Sequence, residues 1–174
     1  NWIVFYPIER FFSRITDKVI TITQEDYKLA SQKFHCEVEH IHGVGVDGKR
    51  YHSVSNEEKG ELKKKLGFLE EEKIILCVGE LLPNKNQKMI IYAMKDLVSQ
   101  YPNIKLLLAG NGPERENLEM LILDNDLEKR VTMLGYVTNL QEYQQIADVS
   151  VTCSKREGLP LNVVAVSYTH LRAH

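Results

Sequence analysis

Ile74-Ile75-Leu76-Cys77-Val78-Gly79 opens the pattern that decides the fold. Five apolar residues run without interruption and stop at a glycine, as expected of a strand covered on both faces. A helix is predicted next, over residues 87–100, with Met89, Ile90, Ala93, Met94, Leu97 and Val98 on one stripe and Pro102 as its stop. A second strand follows over 104–109. Pro113 then opens a helix in which Leu118, Leu121 and Ile122 repeat at helical spacing. The pattern closes with a third strand over 131–134, a short helix capped by Asn139 and a fourth strand over 149–153. Strands alternating with helices over short connections predict an α/β fold: a parallel sheet with helices on both faces.

Upstream the organisation differs. Ile8, Phe11, Phe12 and Ile15 form an i, i+3, i+4, i+7 stripe on a first helix. A strand is predicted over 18–22, and Thr23 with Asp26 makes a capping box for a helix to about residue 34. Another strand over 38–42 runs into Gly43-Val44-Gly45-Val46-Asp47. Ser55 and Glu58 form a second capping box, for a helix that Gly67 ends.

Composition sets broad limits. A chain of 174 residues suits about one domain, or one domain and a piece of another. A net charge of −2 gives no electrostatic case for a nucleic-acid partner. No apolar run approaches the ~20 residues of a membrane span. The start, Asn1-Trp2-Ile3-Val4-Phe5-Tyr6, lacks the basic region of a signal peptide and begins inside an apolar segment without a methionine, so a fragment is expected. Cys36, Cys77 and Cys153 have no close pairing and read as small buried hydrophobes of a reducing cytoplasm.

In a doubly covered parallel sheet, ligands sit beyond the carboxyl ends of the strands. The four predicted strands exit into Gly79-Glu80-Leu81-Leu82-Pro83-Asn84-Lys85, Gly110-Asn111-Gly112-Pro113-Glu114, Gly135-Tyr136-Val137 and the segment from Ser154 to Gly158. Each exit carries a glycine, which points to one site along that edge. Lys85 stands ahead of a helix start, where an ammonium can neutralise a diphosphate; a solvated loop lysine would look the same. The run Glu157-Gly158-Leu159-Pro160-Leu161-Asn162 sets a carboxylate beside a tight turn and a helix start. Gly158 permits the turn, Pro160 suits the first helical position, and the amides that follow can face an anion. The carboxylate can accept hydrogen bonds from a polyol; a surface acid is the plainer alternative.

Other signals are weaker. Asp124-Asn125-Asp126 has the spacing of a metal-binding pair but falls where a helix ends, a common place for Asn and Asp. His40 and His42 share a strand face without an accompanying acid or cysteine at ligand spacing. Lys63-Lys64-Lys65 reads as the wet face of an amphipathic helix.

The Glu157–Asn162 run resembles the Glu-Gly-Leu-Pro signature of retaining glycosyltransferases of the GT-B fold, family 4. The resemblance implies a Rossmann-like parallel sheet, the C-terminal nucleotide-sugar domain of a GT-B fold, with a remnant of the N-terminal acceptor domain. Residues 1–46 would be that remnant and the linker, 47–164 the incomplete donor domain, and 165–174 a foreign tail. In the family a second glutamate stands eight positions after the first; here that position is Ala165.

The resemblance also implies roles. Glu157 would hold hydroxyls of the transferred sugar, and Lys85 would offset charge on the departing diphosphate. Gly79, Glu80, Gly110, Gly112, Gly135, Tyr136, Gly158, Leu159, Leu161 and Asn162 would line the donor, with the turn at Gly135 and Tyr136 reading the base. Glu80 stands where the family often has an arginine. No metal and no cofactor is implied. The linker and the Gly-Glu-Leu start of the first exit look like bacterial enzymes of capsular or extracellular polysaccharide synthesis. The expected partners are then a nucleotide-diphospho-sugar, commonly a UDP-sugar, and a polysaccharide or lipid-linked acceptor. The expected place is the cytoplasm or the inner membrane face, with peripheral membrane contact allowed in the parent. The chain alone is expected to be inactive. A non-catalytic Rossmann-like module binding a nucleotide or a protein is the alternative from another class.

Overall fold

The computed structural model describes residues 2–41, 45, 47 and 52–155. Glu157, Gly158, Leu159, Leu161 and Asn162 lie outside the described residues, as do His42, Ala165 and the expected tail. The chain divides into two compact units, Asn1–Gly45 and Val46–His174.

The first unit runs α1 (Trp2–Phe12), β1 (Lys18–Thr21), α2 (Gln24–Lys33) and β2 (Glu37–His40), with β1 and β2 paired in parallel from Lys18↔Glu37 to Thr21↔His40. Thr23 caps α2 through its Oγ1, which accepts from Asp26 N at 3.1 Å. The reciprocal arm of a capping box is replaced by the Thr23 hydroxyl donating to Asp26 Oδ2 at 2.7 Å. The stripe expected on the first helix is not realised as such: α1 ends at Phe12, Ile15 lies beyond it, and Ile8, Phe11, Phe12 and Ile15 are all exposed, Ile15 at 76%. Among the described residues, no surface covers them.

The second unit runs α3 (Asn56–Lys65), β3 (Lys73–Val78), α4 (Lys88–Gln100), β4 (Ile104–Ala109), α5 (Arg115–Leu123), β5 (Val131–Gly135), α6 (Leu140–Ile146) and β6 (Val149–Val151). The strands form a parallel sheet in the order β5-β4-β3-β6. Leu106, Leu107 and Leu108 are 0%, 0% and 1% exposed, and three consecutive buried residues on one strand require cover on both faces. Cys77, Leu106 and Leu108 pack with Ile90, Ile91 and Met94 of α4 and Leu118 and Ile122 of α5. Ile74, Leu76, Leu107 and Ala109 pack on the other face with Ile146 of α6, Leu62 of α3 and Leu66 at its C-cap.

The capping box of α3 is complete: Ser55 Oγ accepts from Glu58 N at 3.2 Å and Glu58 Oε2 from Ser55 N at 2.8 Å. Its other end is a Schellman motif, with Gly67 at φ +83°, Phe68 N donating to Lys63 O and Gly67 N to Lys64 O.

Four details differ from expectation. The buried stripe of α4 uses Ile91, while Met89 and Ala93 are exposed, because the helix starts at Lys88 and its phase is set by the sheet. Asn139 makes no side-chain cap; its Nδ2 donates instead to Glu142 Oε2 at 2.8 Å. β6 stops at Val151, and Cys153 reaches the core from beyond the strand. Lys63 is not on a wet face. It is buried, and its Nζ donates to Glu70 O at 3.1 Å and Glu72 O at 2.6 Å, so only Lys64 and Lys65 of that run meet solvent. Asn125 and Asp126 serve the turn after α5: Asn125 Nδ2 donates to Leu121 O, and Asp126 takes φ +55°.

Candidate functional site

The parallel pairing continues past the strand ends. Gly79 N donates to Ala109 O and Leu81 N to Asn111 O, both at 2.9 Å. Glu114 N donates back to Leu81 O at 3.1 Å, and Gly110 N to Gly135 O at 2.8 Å. The first three exit loops are thus bonded side by side into one rim.

Two glycines exist for that closeness. A Cβ on Gly110, at φ +142°, would lie 2.0 Å from Gly79 O, and one on Gly112 would lie 2.4 Å from Leu81 O. Neither position tolerates a side chain, so these glycines shape the rim by letting backbones meet. Gly79 is different: at its Cβ position the nearest atoms are Lys85 Cδ and Gln87 Nε2, each 3.9 Å away. The Lys85 stem therefore passes over Gly79. Gln87, buried at the start of α4, fixes this loop by donating from Nε2 to Glu80 O at 2.9 Å.

A cavity of about 220 Å³ opens at this edge, lined by Gly79, Glu80, Gly110, Tyr136, Val137 and Leu140 among others. Four of the residues picked from sequence thus face one space, and Gly135 adjoins it by carrying Tyr136. Gly112 does not line it. Tyr136 is 80% exposed, which leaves its amphipathic ring open to stacking. Lys155 N donates to Asn84 O at 2.9 Å, which binds the fourth exit to the first one residue before Lys85.

Sequence reading gave no site role to Arg115, Gln87 and Leu140, and quoted Asn111 and Val137 only as members of their exit loops. Arg115 Nη1 donates to Asn111 Oδ1 at 3.4 Å, and its Nε lies 2.8 Å from Glu119 Oε1. The i, i+4 spacing of Arg115 and Glu119 was the available signal. Gln87 and Leu140 carried none, since helix-start and core positions look alike in sequence.

The thiols near this edge are held toward their protonated forms. Burial pushes Cys77 up to about 12; neighbouring Cys153 adds to the rise and Lys85 opposes it. Burial likewise raises Cys153. Among the described residues, no group of three or more His, Cys, Asp or Glu is placed to hold a metal ion. Among them, too, no helix is long and apolar enough to cross a membrane.

Residues 58–165 match the family described as glycosyl transferases group 1, and the chain belongs to that family. It is similar to "Putative glycosyltransferase EpsD" of Bacillus subtilis (strain 168), 38% identical over 166 residues that cover 94% of this chain and 44% of that protein. It is also similar to UDP-Gal:alpha-D-GlcNAc-diphosphoundecaprenol alpha-1,3-galactosyltransferase of Escherichia coli, 27% identical over 97% of this chain and 45% of that protein. Among solved structures, Anabaena HepE in complex with UDP and glucose superposes with a TM-score of 0.76 at 21% identity, covering 93% of this chain and 45% of that one. Sucrose-phosphate synthase from Thermosynechococcus elongatus gives 0.73 at 25% identity, covering 92% and 40%. The fold is that of the GT-B glycosyltransferases, as the sequence implied. The chain spans less than half the length of these relatives.

Proposed function

We propose that this chain carries the donor site of a retaining GT-B enzyme that transfers a sugar from a UDP-sugar to a polysaccharide or lipid-linked acceptor. The observation that carries the reading is the bonded glycine rim, with the Lys85 stem over Gly79 beside a cavity edged by Tyr136, in a chain of this family. In this reading residues 47–164 belong to the donor domain and 1–46 to the acceptor domain and linker. The cavity takes the base, and the Lys85 ammonium offsets charge that builds on the diphosphate as the bond to the anomeric carbon breaks. Glu157 orients the sugar hydroxyls, and Gly158, Leu159, Leu161 and Asn162 help to hold the donor.

A UDP-sugar donor and a lipid-linked acceptor are supported by the Escherichia coli relative, whose name gives UDP-Gal as donor and GlcNAc-diphosphoundecaprenol as acceptor. An enzyme with such an acceptor works at the inner membrane face.

Titration calorimetry with UDP, a UDP-sugar, GDP and ATP tests the reading. UDP and the UDP-sugar are expected to bind, and ATP to bind at least about tenfold more weakly, a difference of 1.4 kcal/mol. Absence of UDP binding, or equal binding of ATP, overturns it. UDP binding without transfer in every longer protein that contains this chain would favour the non-catalytic alternative.

A further inference from the structure

The turn that carries Tyr136 is braced from α5. β5 ends with a bulge, Leu108 pairing with Met133 and Ala109 with Gly135, so Leu134 is skipped and the strand end is re-aimed. Gly135 follows at φ +70°, where a glycine has little intrinsic restraint. Any rotation there would swing Tyr136 and Val137, which line the cavity. Its carbonyl is held by Gly110 N at 2.8 Å. On the other side, Asn111 Oδ1 and Arg115 Nη1 stand 3.3 Å and 3.5 Å from the position a Cβ would take. Those two atoms are themselves bonded, and Glu119 anchors the Arg115 Nε at 2.8 Å. A continuous path therefore runs from Glu119 through Arg115 and Asn111 to the pivot glycine.

We propose that Arg115 is a positioning residue for the nucleobase, acting through Asn111 and Gly135 to fix Tyr136 at the cavity mouth. The proposal rests on reading that cavity as the base subsite of the donor. Arg115 touches no ligand in this scheme. Its guanidinium replaces the Cβ contacts that a non-glycine residue would have used to hold the turn, and it does so while φ stays positive. Loss of the brace raises the number of turn conformers, which lowers affinity by the fraction that remains competent.

The test is a double-mutant cycle in the 174-residue chain, read by calorimetry with UDP and with inorganic pyrophosphate. Arg115→Gln is expected to weaken UDP about tenfold, the scale of one hydrogen bond to a charged group, and to leave pyrophosphate unchanged. In a Tyr136→Ala background the same replacement is expected to cost less than about twofold, since the path then has nothing to hold. Glu119→Gln keeps the guanidinium but removes its anchor, and should give a smaller loss with the same selectivity for UDP. It decides the matter if Arg115→Gln proves unstable. Equal losses for UDP and pyrophosphate, or equal losses in both backgrounds, overturn the brace and leave the donor site standing. Failure of the unmodified chain to bind UDP overturns both.

Discussion

Asp148 and Ile74 exchange two hydrogen bonds: Asp148 N donates to Ile74 O and Ile74 N donates to Asp148 Oδ2, each at 2.8 Å. The same carboxylate receives Lys59 Nζ at 2.9 Å and stands 3.9 Å from buried Lys63 Nζ. One side chain thus sets where β6 joins β3 and ties both to α3. Because the other end of that sheet is the candidate site, the register fixed here decides which residues reach the rim.

Burial pushes the Asp148 carboxyl up. The Lys59 hydrogen bond, the Ile74 amide and the charges of Lys59 and Lys63 outweigh that and hold it below the ordinary aspartate value. A depressed folded pKa means the unfolded chain binds the proton more tightly. Its stabilisation is therefore present above the unfolded value, about 3.9, and is lost as pH falls through the folded one. Asp148→Asn should cost roughly 1–3 kcal/mol at neutral pH, the range for a charge-assisted bond, in urea unfolding. The difference from the unmodified chain should shrink below about pH 4. A difference that persists undiminished in acid would mean the charge is irrelevant.

The rim makes a sharper stability prediction. Gly67 has a positive φ but open space at its Cβ position, so Gly67→Ala should cost about 1–2 kcal/mol of backbone strain. Gly110→Ala and Gly112→Ala must force bonded backbones apart, and each should exceed about 3 kcal/mol. Thermal unfolding of the three variants ranks them. A mild Gly112→Ala would show that the rim can separate, and the account of its glycines would fail.

The parallel sheet was readable because each central strand is covered on both faces and so shows an apolar run, unbroken over 74–78 and over 106–109. Helix boundaries with strong chemistry were readable too: Ser55, Glu58 and Gly67 act as their identities predict. What failed was phase and context. Met89 and Ala93 fit a helical stripe, yet the sheet selected Ile90, Ile91 and Met94. Lys63 looked solvated because its neighbours are lysines; the two carbonyls that make burial tolerable come from the turn that follows α3, seven and nine residues on. The glycines at the exits were legible as a set. Their separate functions were not, since backbone approach at Gly110 and side-chain contact at Gly79 leave the same letter in the sequence.

Lys85 should separate phosphate from base. With its stem over Gly79, its ammonium is proposed to face the diphosphate, so Lys85→Ala should weaken UDP by roughly 1.5–3 kcal/mol and uridine by little. Calorimetry with the two ligands measures the split. Equal losses would assign the lysine to the fold.

Glu157 should separate sugar from nucleotide. It follows Lys155 by two residues in sequence, and Lys155 N is bonded to Asn84 O beside Lys85. A carboxylate that accepts sugar hydroxyls adds affinity for a UDP-sugar and none for UDP. Glu157→Gln keeps the size and one acceptor while removing the charge. It should weaken the UDP-sugar by roughly 1–2 kcal/mol and change UDP by less than about 0.5. Lys85→Ala, by contrast, should affect both diphosphates alike. If Glu157→Gln weakens UDP and UDP-sugar equally, the carboxylate holds the loop and not the sugar, and the donor must be oriented by other residues.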